Sequence, residues 1–322
     1  MFPPLERIVG LTGKTGGPLR DFGQISEVVK SLSRTDIYSR DGTRLAFNTW
    51  EPAGGAAAQV LISHGFGEHA SRFDWLASQF TAAGIRVGCA DYRGMGRSDG
   101  MRSRVRDYDE YLDDLGAAET ALRSEADSLP LFVYGHSMGG LIALLRACRA
   151  DRPALAGTLL SGPALQFALP IPAWQIALGR LFVGIAPDLP VPAPLPVHIL
   201  THDAQRQREL GEDPLSLNQL RLCWYFATQR AMQLAHTREP LAPTCWLLPG
   251  DDQVCSSPVS RGYYQRLAAE GGHALHEFPG LYHELHQETE ADRLRVAAQA
   301  VQWIQQRLAA DRQQTVTGTR PA

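Results

Sequence analysis

Short, largely apolar runs recur along this chain at 59–63 (QVLIS), 86–90 (RVGCA), 131–134 (LFVY), 158–161 (TLLS), 245–248 (CWLL) and 275–278 (LHEF). Runs of this length without strict polar alternation suit strands of a parallel sheet buried on both faces. Between them lie stretches of helical periodicity at 75–83, 108–124, 140–149, 260–269 and 292–308. Strand and helix therefore alternate, which predicts an α/β fold with a mostly parallel central sheet and helices on both faces. Ahead of the first run, 37–39 and 44–50 flank Asp41-Gly42 and read as a hairpin.

The alternation breaks once, between Pro163 and Pro240. There the chain is proline-rich, then helical around 217–234, and no stretch is a convincing strand. We read this segment as an inserted cap over one end of the sheet. The expected organisation is an N-terminal extension (1–34, with a short helical pattern at 25–32), a first core part (35–162), the cap (163–240), a second core part (241–310) and a polar, frayed tail (311–322).

Composition narrows the class without choosing a function. With 322 residues, 44% hydrophobic and 20% charged, the chain resembles an average globular protein, which excludes a disordered or fibrous one. A net charge of −3 offers no basic footprint, so no nucleic-acid partner is expected. Five scattered cysteines with no CxxC pair suit neither a disulfide framework nor a structural zinc site. The N-terminus shows no signal-peptide pattern, and no apolar run is long enough to span a bilayer: 167–178 is interrupted by Pro170 and Pro172 and stopped by Arg180. A cytoplasmic location is the expectation.

Chemistry concentrates in four turns that follow apolar runs. Gly135-His136-Ser137-Met138-Gly139 is a G-x-S-x-G sequence with a strand before it and a helix after it. That context predicts a sharp elbow that exposes the Ser137 hydroxyl, because only small flanking residues let strand and helix approach. A serine is a weak nucleophile until a histidine takes its proton and a carboxylate orients that histidine. Asp251 and Asp252 follow the fifth run, and either could be the acid. His283 follows the sixth run and precedes the final helix, which makes it the candidate base. The loop His64-Gly65-Phe66-Gly67-Glu68-His69 follows the first run, and its two glycines let the backbone turn back toward Ser137. Amides of Phe66 and Met138 are the candidate oxyanion donors.

Other signals are weaker. His64 and His69 suit backbone turning better than metal coordination, and no metal is expected. Gly13-Lys14-Thr15 lacks the first glycine of a P-loop, and His283-Glu284-Leu285-His286 is one residue short of a zincin motif. The loop 90–96 lacks dinucleotide-binding spacing; Asp91 and Arg93 are expected to anchor it.

Taken together, HGFGEH (64–69), DYRGMGRSDG (91–100), GHSMGG (135–140), GEDPL (211–215), GDDQVC (250–255) and YHELHQE (282–288) resemble monoacylglycerol lipases and bacterial lysophospholipases. These form the serine aminopeptidase-like branch of the α/β-hydrolase superfamily, and the resemblance covers roughly residues 35–310. It implies an α/β-hydrolase fold with Ser137 as nucleophile, His283 as base and Asp252 as acid, since the family pattern is Asp-x-x-Cys. It also implies Phe66 and Met138 as oxyanion amides. The cap prolines and Trp174 depart from the mammalian lipases, as does Phe66, where a small residue is common.

The resemblance implies a serine hydrolase that cleaves fatty-acid esters, monoacylglycerols or lysophospholipids, through an acyl-enzyme and without a cofactor. Apolar cap residues, Phe167, Trp174, Leu178 and Phe182 among them, are expected to line the acyl site and to meet a membrane or micelle surface peripherally. The competing readings are an aminopeptidase, which would need carboxylates such as Glu68 and Glu284 to hold an ammonium, an acyltransferase, and a non-catalytic ligand-binding protein.

Overall fold

The computed structural model describes residues 29–317 apart from 125, 127, 194 and 268–270. The first core part contains β1 (Val29–Tyr38), β2 (Arg44–Pro52), β3 (Ala58–Ser63), α1 (Asp74–Ala82), β4 (Ile85–Ala90), α2 (Asp109–Ser124), β5 (Leu131–His136), α3 (Met138–Ala147) and β6 (Gly157–Ser161). The cap holds α4 (Ala173–Val183), β7 (Pro190–Pro192), α5 (Ala204–Glu212), β8 (Gln219–Arg221) and α6 (Leu222–His236). Then follow β9 (Thr244–Pro249), α7 (Ser257–Gln265), β10 (Ala274–Phe278) and α8 (Glu290–Thr317).

Eight strands form one sheet in the order β1-β2-β4-β3-β5-β6-β9-β10. Only β2 runs against both its neighbours; β4, β3, β5, β6, β9 and β10 are mutually parallel. Every residue of β3, β4, β5, β6 and β9 is buried, as their unbroken apolar runs predict. Successive side chains point to opposite faces, so Leu61, Val133, Leu160 and Trp246 join a cluster with α2, α3 and α6. Val60, Phe132, Leu159 and Leu247 join another with α1 and α8. The fold is the α/β-hydrolase fold: a largely parallel sheet, helices on both faces and an inserted cap.

The topology also selects a place for chemistry. From β3 the chain steps to β4 on one side, then returns to β5 on the other. Such a reversal opens a crevice at the carboxyl ends of the two central strands. The turns after β3 and β5, 64–69 and 137, lie there.

Four expectations change. Residues 29–32, part of the helical pattern at 25–32, belong to β1, because pairing with β2 satisfies their backbone; 1–28 lie outside the described residues. The cap contains an unpredicted antiparallel pair, β7 with β8, centred on Val191 and Leu220. Proline at both ends of a three-residue edge strand hides it from any pattern. The cap also contains α4, which starts directly after Pro172, and α8 carries the helix past 308 to Thr317, into the expected tail. Among the described residues, no helix is long and apolar enough to cross a membrane.

Candidate active site

Ser137 sits at the join of β5 and α3 with φ 53° and ψ −118°. A non-glycine residue in this region is strained by about 1–3 kcal/mol, and four backbone bonds hold it there. Its N–H donates to Ser161 O at 3.0 Å, and its carbonyl accepts from Gly140, Leu141 and Ala164. The flanking glycines are required by space. A Cβ on Gly135 would lie 2.4 Å from Gly139 O, and one on Gly139 would lie 2.0 Å from Ser63 O.

The two aspartates after β9 separate cleanly. Asp251 is exposed, whereas the Asp252 side chain is 0% exposed and faces His283, itself 3% exposed. Asp252 Oδ1 accepts from the Val254 and Cys255 amides at 2.8 and 2.9 Å, which aims Oδ2 at the imidazole. His283 donates from Nδ1 to Oδ2 at 2.8 Å. With Nδ1 holding the proton, the neutral ring keeps its lone pair on Nε2, as a general base requires. Burial pulls the His283 pKa down, but the charge and hydrogen bond of Asp252 outweigh it and hold the value above the ordinary one. Gly162 allows the close approach: a Cβ there would lie 3.3 Å from Asp252 Oδ2 and 3.4 Å from His283 Nδ1.

Ser137 Oγ stands 3.9 Å from Cys255 Sγ and makes no hydrogen bond to His283. Nucleophile–base contacts are often loose until substrate is bound. Burial, then the charge of Asp252, pushes the Cys255 thiol well above the usual thiol range, so it stays protonated beside the serine. The Phe66 and Met138 amides donate to no backbone acceptor among the described residues. Met138 opens α3, where first-turn amides have no intrahelical partner.

Behind His283 lies a buried charged cluster that the sequence does not announce. Arg72 reaches Glu284 Oε2 at 2.5 Å and Glu68 Oε1 at 3.3 Å. Glu68 Oε2 also accepts from the Gly65 amide at 2.6 Å, closing the 64–69 loop. Burial raises the Glu284 pKa to about 7, against the pull of Arg72 and with the charge of Glu68 adding to it. His136 packs against His283 with ring centroids 4.8 Å apart, and His286 against His136 at 5.0 Å. Burial holds both His136 and His286 well below the ordinary histidine value. Glu68, His136 and Glu284 bring one ligand atom each within 4.8 Å of one another, but the cation facing the two carboxylates is Arg72.

His64 has no lone pair left for a metal: Nε2 accepts from the Tyr92 amide at 2.9 Å, and Nδ1 donates to Gly65 O at 2.7 Å. Asp91 and Arg93 do anchor their loop. Asp91 accepts from the Ala70 and Arg97 amides, and Arg93 forks onto buried Asp114.

The cap residues fall in two places. Phe167 lines a cavity of about 330 Å³ together with Leu165, Ile176, Tyr225 and Met232, and it bridges by its backbone to Cys255. Trp174, Leu178 and Phe182 lie outside that lining, on α4, which buries no residue at all. Trp174 is 66% exposed, and Ile185 just beyond the helix is 78% exposed.

A doubly covered parallel sheet, a serine elbow and a buried Asp–His pair after the last two strands define a hydrolase of the α/β-hydrolase superfamily. Residues 54–290 match the family described as Serine aminopeptidase, S33. The chain belongs to that family, in its monoacylglycerol-lipase-like branch. The human monoglyceride lipase is 30% identical over 281 residues, covering 85% of this chain and 90% of that one. An uncharacterized abhydrolase domain-containing protein of Dictyostelium discoideum is 27% identical over 278 residues; this chain spans 29% of its length, and the match covers 86% of this chain. A soluble variant of the Saccharomyces cerevisiae monoglyceride lipase, solved with a substrate analog, superposes with a TM-score of 0.77 at 22% identity. That superposition covers 87% of this chain and 96% of the yeast one.

Proposed function

We propose that this chain hydrolyses carboxylic esters of fatty acids, with monoacylglycerols or lysophospholipids as substrates, through an acyl-enzyme on Ser137. The observation that carries the reading is the buried Asp252–His283 pair, which leaves Nε2 as the basic nitrogen beside a serine held at positive φ. His283 Nε2 takes the Ser137 Oγ proton as Oγ attacks the ester carbonyl. The resulting oxyanion is met by the Phe66 and Met138 amides. His283 returns the proton to the departing alcohol, and water then attacks the acyl-serine by the same route and releases the fatty acid. Asp252 stabilises the imidazolium in both halves, and no cofactor takes part.

An aminopeptidase reading needs free carboxylates near the serine. Glu68 and Glu284 are buried and committed to Arg72, so they offer nothing to a substrate ammonium. A hydrolysis panel of monoacylglycerols of increasing chain length, lysophosphatidylcholine and an aminoacyl amide tests the assignment. Turnover of the lipid esters, lost in Ser137→Ala, is the expected result; cleavage of the amide alone would overturn it.

The exposed apolar residues on and after α4 are the surface that meets lipid. Charged residues are sparse there, and burying one large apolar side chain in an interface is worth about 1.5–3 kcal/mol. Replacing Trp174 and Ile185 with serine should reduce co-sedimentation with phosphatidylcholine vesicles and turnover of vesicle-borne substrate. Hydrolysis of a soluble short-chain ester should stay unchanged.

A further inference from the structure

The cap and the 64–69 loop are joined at three points, far apart in sequence. His69 donates from Nε2 to Asp213 Oδ2 at 2.7 Å. The Leu217 amide donates to Gly67 O at 3.2 Å, and Gly67 has φ +76°, with Leu217 O only 3.1 Å from where a Cβ would sit. The Phe66 ring lies against Trp224 of α6, with centroids 4.1 Å apart. All three contacts fall at or just after Phe66, directly following the Gly65–Phe66 peptide that carries the proposed oxyanion donor.

Asp213 is built to hold this position. Its other oxygen accepts from the Leu215 amide at 2.9 Å, which fixes the turn leading to Leu217. Arg102 braces the same turn by donating to Leu215 O and to Gly96 O. The His69–Asp213 pair is mostly shielded, with side chains 7% and 18% exposed, so it does not behave as a solvated surface pair of negligible strength.

We propose that the cap works as a clamp on the oxyanion loop: Asp213, through His69, fixes the Phe66 amide in its working place, so that cap docking and oxyanion stabilisation are one event. Asp213 and His69 are positioning residues, and neither touches the reacting atoms. The inference rests on the proposed serine mechanism and on Phe66 as one of its two donors. The Phe66 N–H belongs to the Gly65–Phe66 peptide, which the core holds at its Gly65 end, where Gly65 N donates to Glu68 Oε2 and Gly65 O accepts from His64 Nδ1; the cap holds the Phe66 end.

The test compares the full-length wild type with Asp213→Ala, Asp213→Asn, His69→Ala and His69→Gln. Asn and Gln keep the acceptor and the donor of the bond; the alanines remove it. For each protein we would measure kcat and KM on p-nitrophenyl butyrate and p-nitrophenyl decanoate, the rate of serine labelling by a fluorophosphonate, and Tm. Losing an oxyanion donor outright costs about 10²–10³ in rate, so a loosened one should cost about 10-fold or more. Asp213→Ala and His69→Ala should therefore lower kcat on both esters alike and slow labelling, with KM held. Asp213→Asn and His69→Gln should recover most of the rate at similar Tm. A raised KM with unchanged kcat and labelling would overturn the clamp, as would a loss that the conservative variants fail to restore. If an alanine variant does not fold, the Asn and Gln variants against Ser137→Ala still decide, because the clamp requires both to stay active. Failure of the parent mechanism shows differently: an unlabelled wild type, or a Ser137→Ala protein that still turns over.

Discussion

His283 shares its pocket with other imidazoles, and its partner is what separates it from them. Burial lowers the pKa of His64, His136 and His286, leaving them neutral. For His283 alone in this group, a buried carboxylate at 2.8 Å reverses the direction. A base with a raised pKa loses activity as the pH falls through that value, since only the neutral ring can take the serine proton. The acidic limb of kcat/KM should therefore lie above the ordinary histidine value of about 6.5. Asp252→Asn should lower kcat by about 10³–10⁴-fold, because the amide cannot hold the same tautomer. Exposed Asp251→Asn should stay near wild type, and the reverse pattern would move the acid to Asp251. Glu284 gives a stability prediction of opposite sign to that of an ordinary carboxylate. Its folded pKa is about 7 against 4.5 for the free group, so its contribution to folding is full below about 4.5 and is lost as pH rises through 7. The Tm of Glu284→Gln relative to wild type should therefore climb between pH 5 and 8.

At the scale of elements, the elbow is the least forgiving join in the molecule. Gly139→Ala would set a methyl 2.0 Å from the Ser63 carbonyl, a backbone atom of β3 that cannot swing away. The strand–helix pair must spread, and soluble, folded protein should be largely lost on expression. Gly184→Ala is the matched control. It has open space and φ −74°, so it should be neutral or stabilise by about 0.4–1 kcal/mol, read by chemical denaturation. The same contrast explains what the sequence makes legible. Strands β3 to β6 and β9 are covered on both faces, so their apolar runs have no other reading. β1 sits at an edge, with residues 32–36 exposed, and its strand state comes from pairing with β2. In the cap, β7 is three residues long with proline at each end, and α4 buries nothing, so neither leaves a periodic signal.

Across the whole molecule the site and the foundations lie at opposite ends of the sheet. Ser137, Asp252 and His283 follow the carboxyl ends of β5, β9 and β10, so Ser137 and His283 were legible as chemically apt residues in turns after strands, and Asp252 as one of two adjacent aspartates. Pairs such as Arg72 with Glu284 or His69 with Asp213 were not, because 212 and 144 residues separate the partners and no local pattern links them. Trp303 of α8 belongs to the other end. Its ring lies 2.6 Å from where a Cβ on Gly157, the first residue of β6, would sit, and it meets Phe132 edge-on with centroids 6.0 Å apart. It fills the cluster beneath the sheet, where Gly157 has given up its side chain to admit the ring. Trp303→Ala leaves a cavity that a rigid strand cannot close, at a cost of about 3–5 kcal/mol. The site turns are braced by their own hydrogen bonds at the far ends of the strands, so the folded variant should keep its kcat at low temperature while its Tm drops by several degrees. Equal losses of kcat and stability would mean that the two ends of the sheet are coupled, and that the site depends on α8 packing as well as on its own turns.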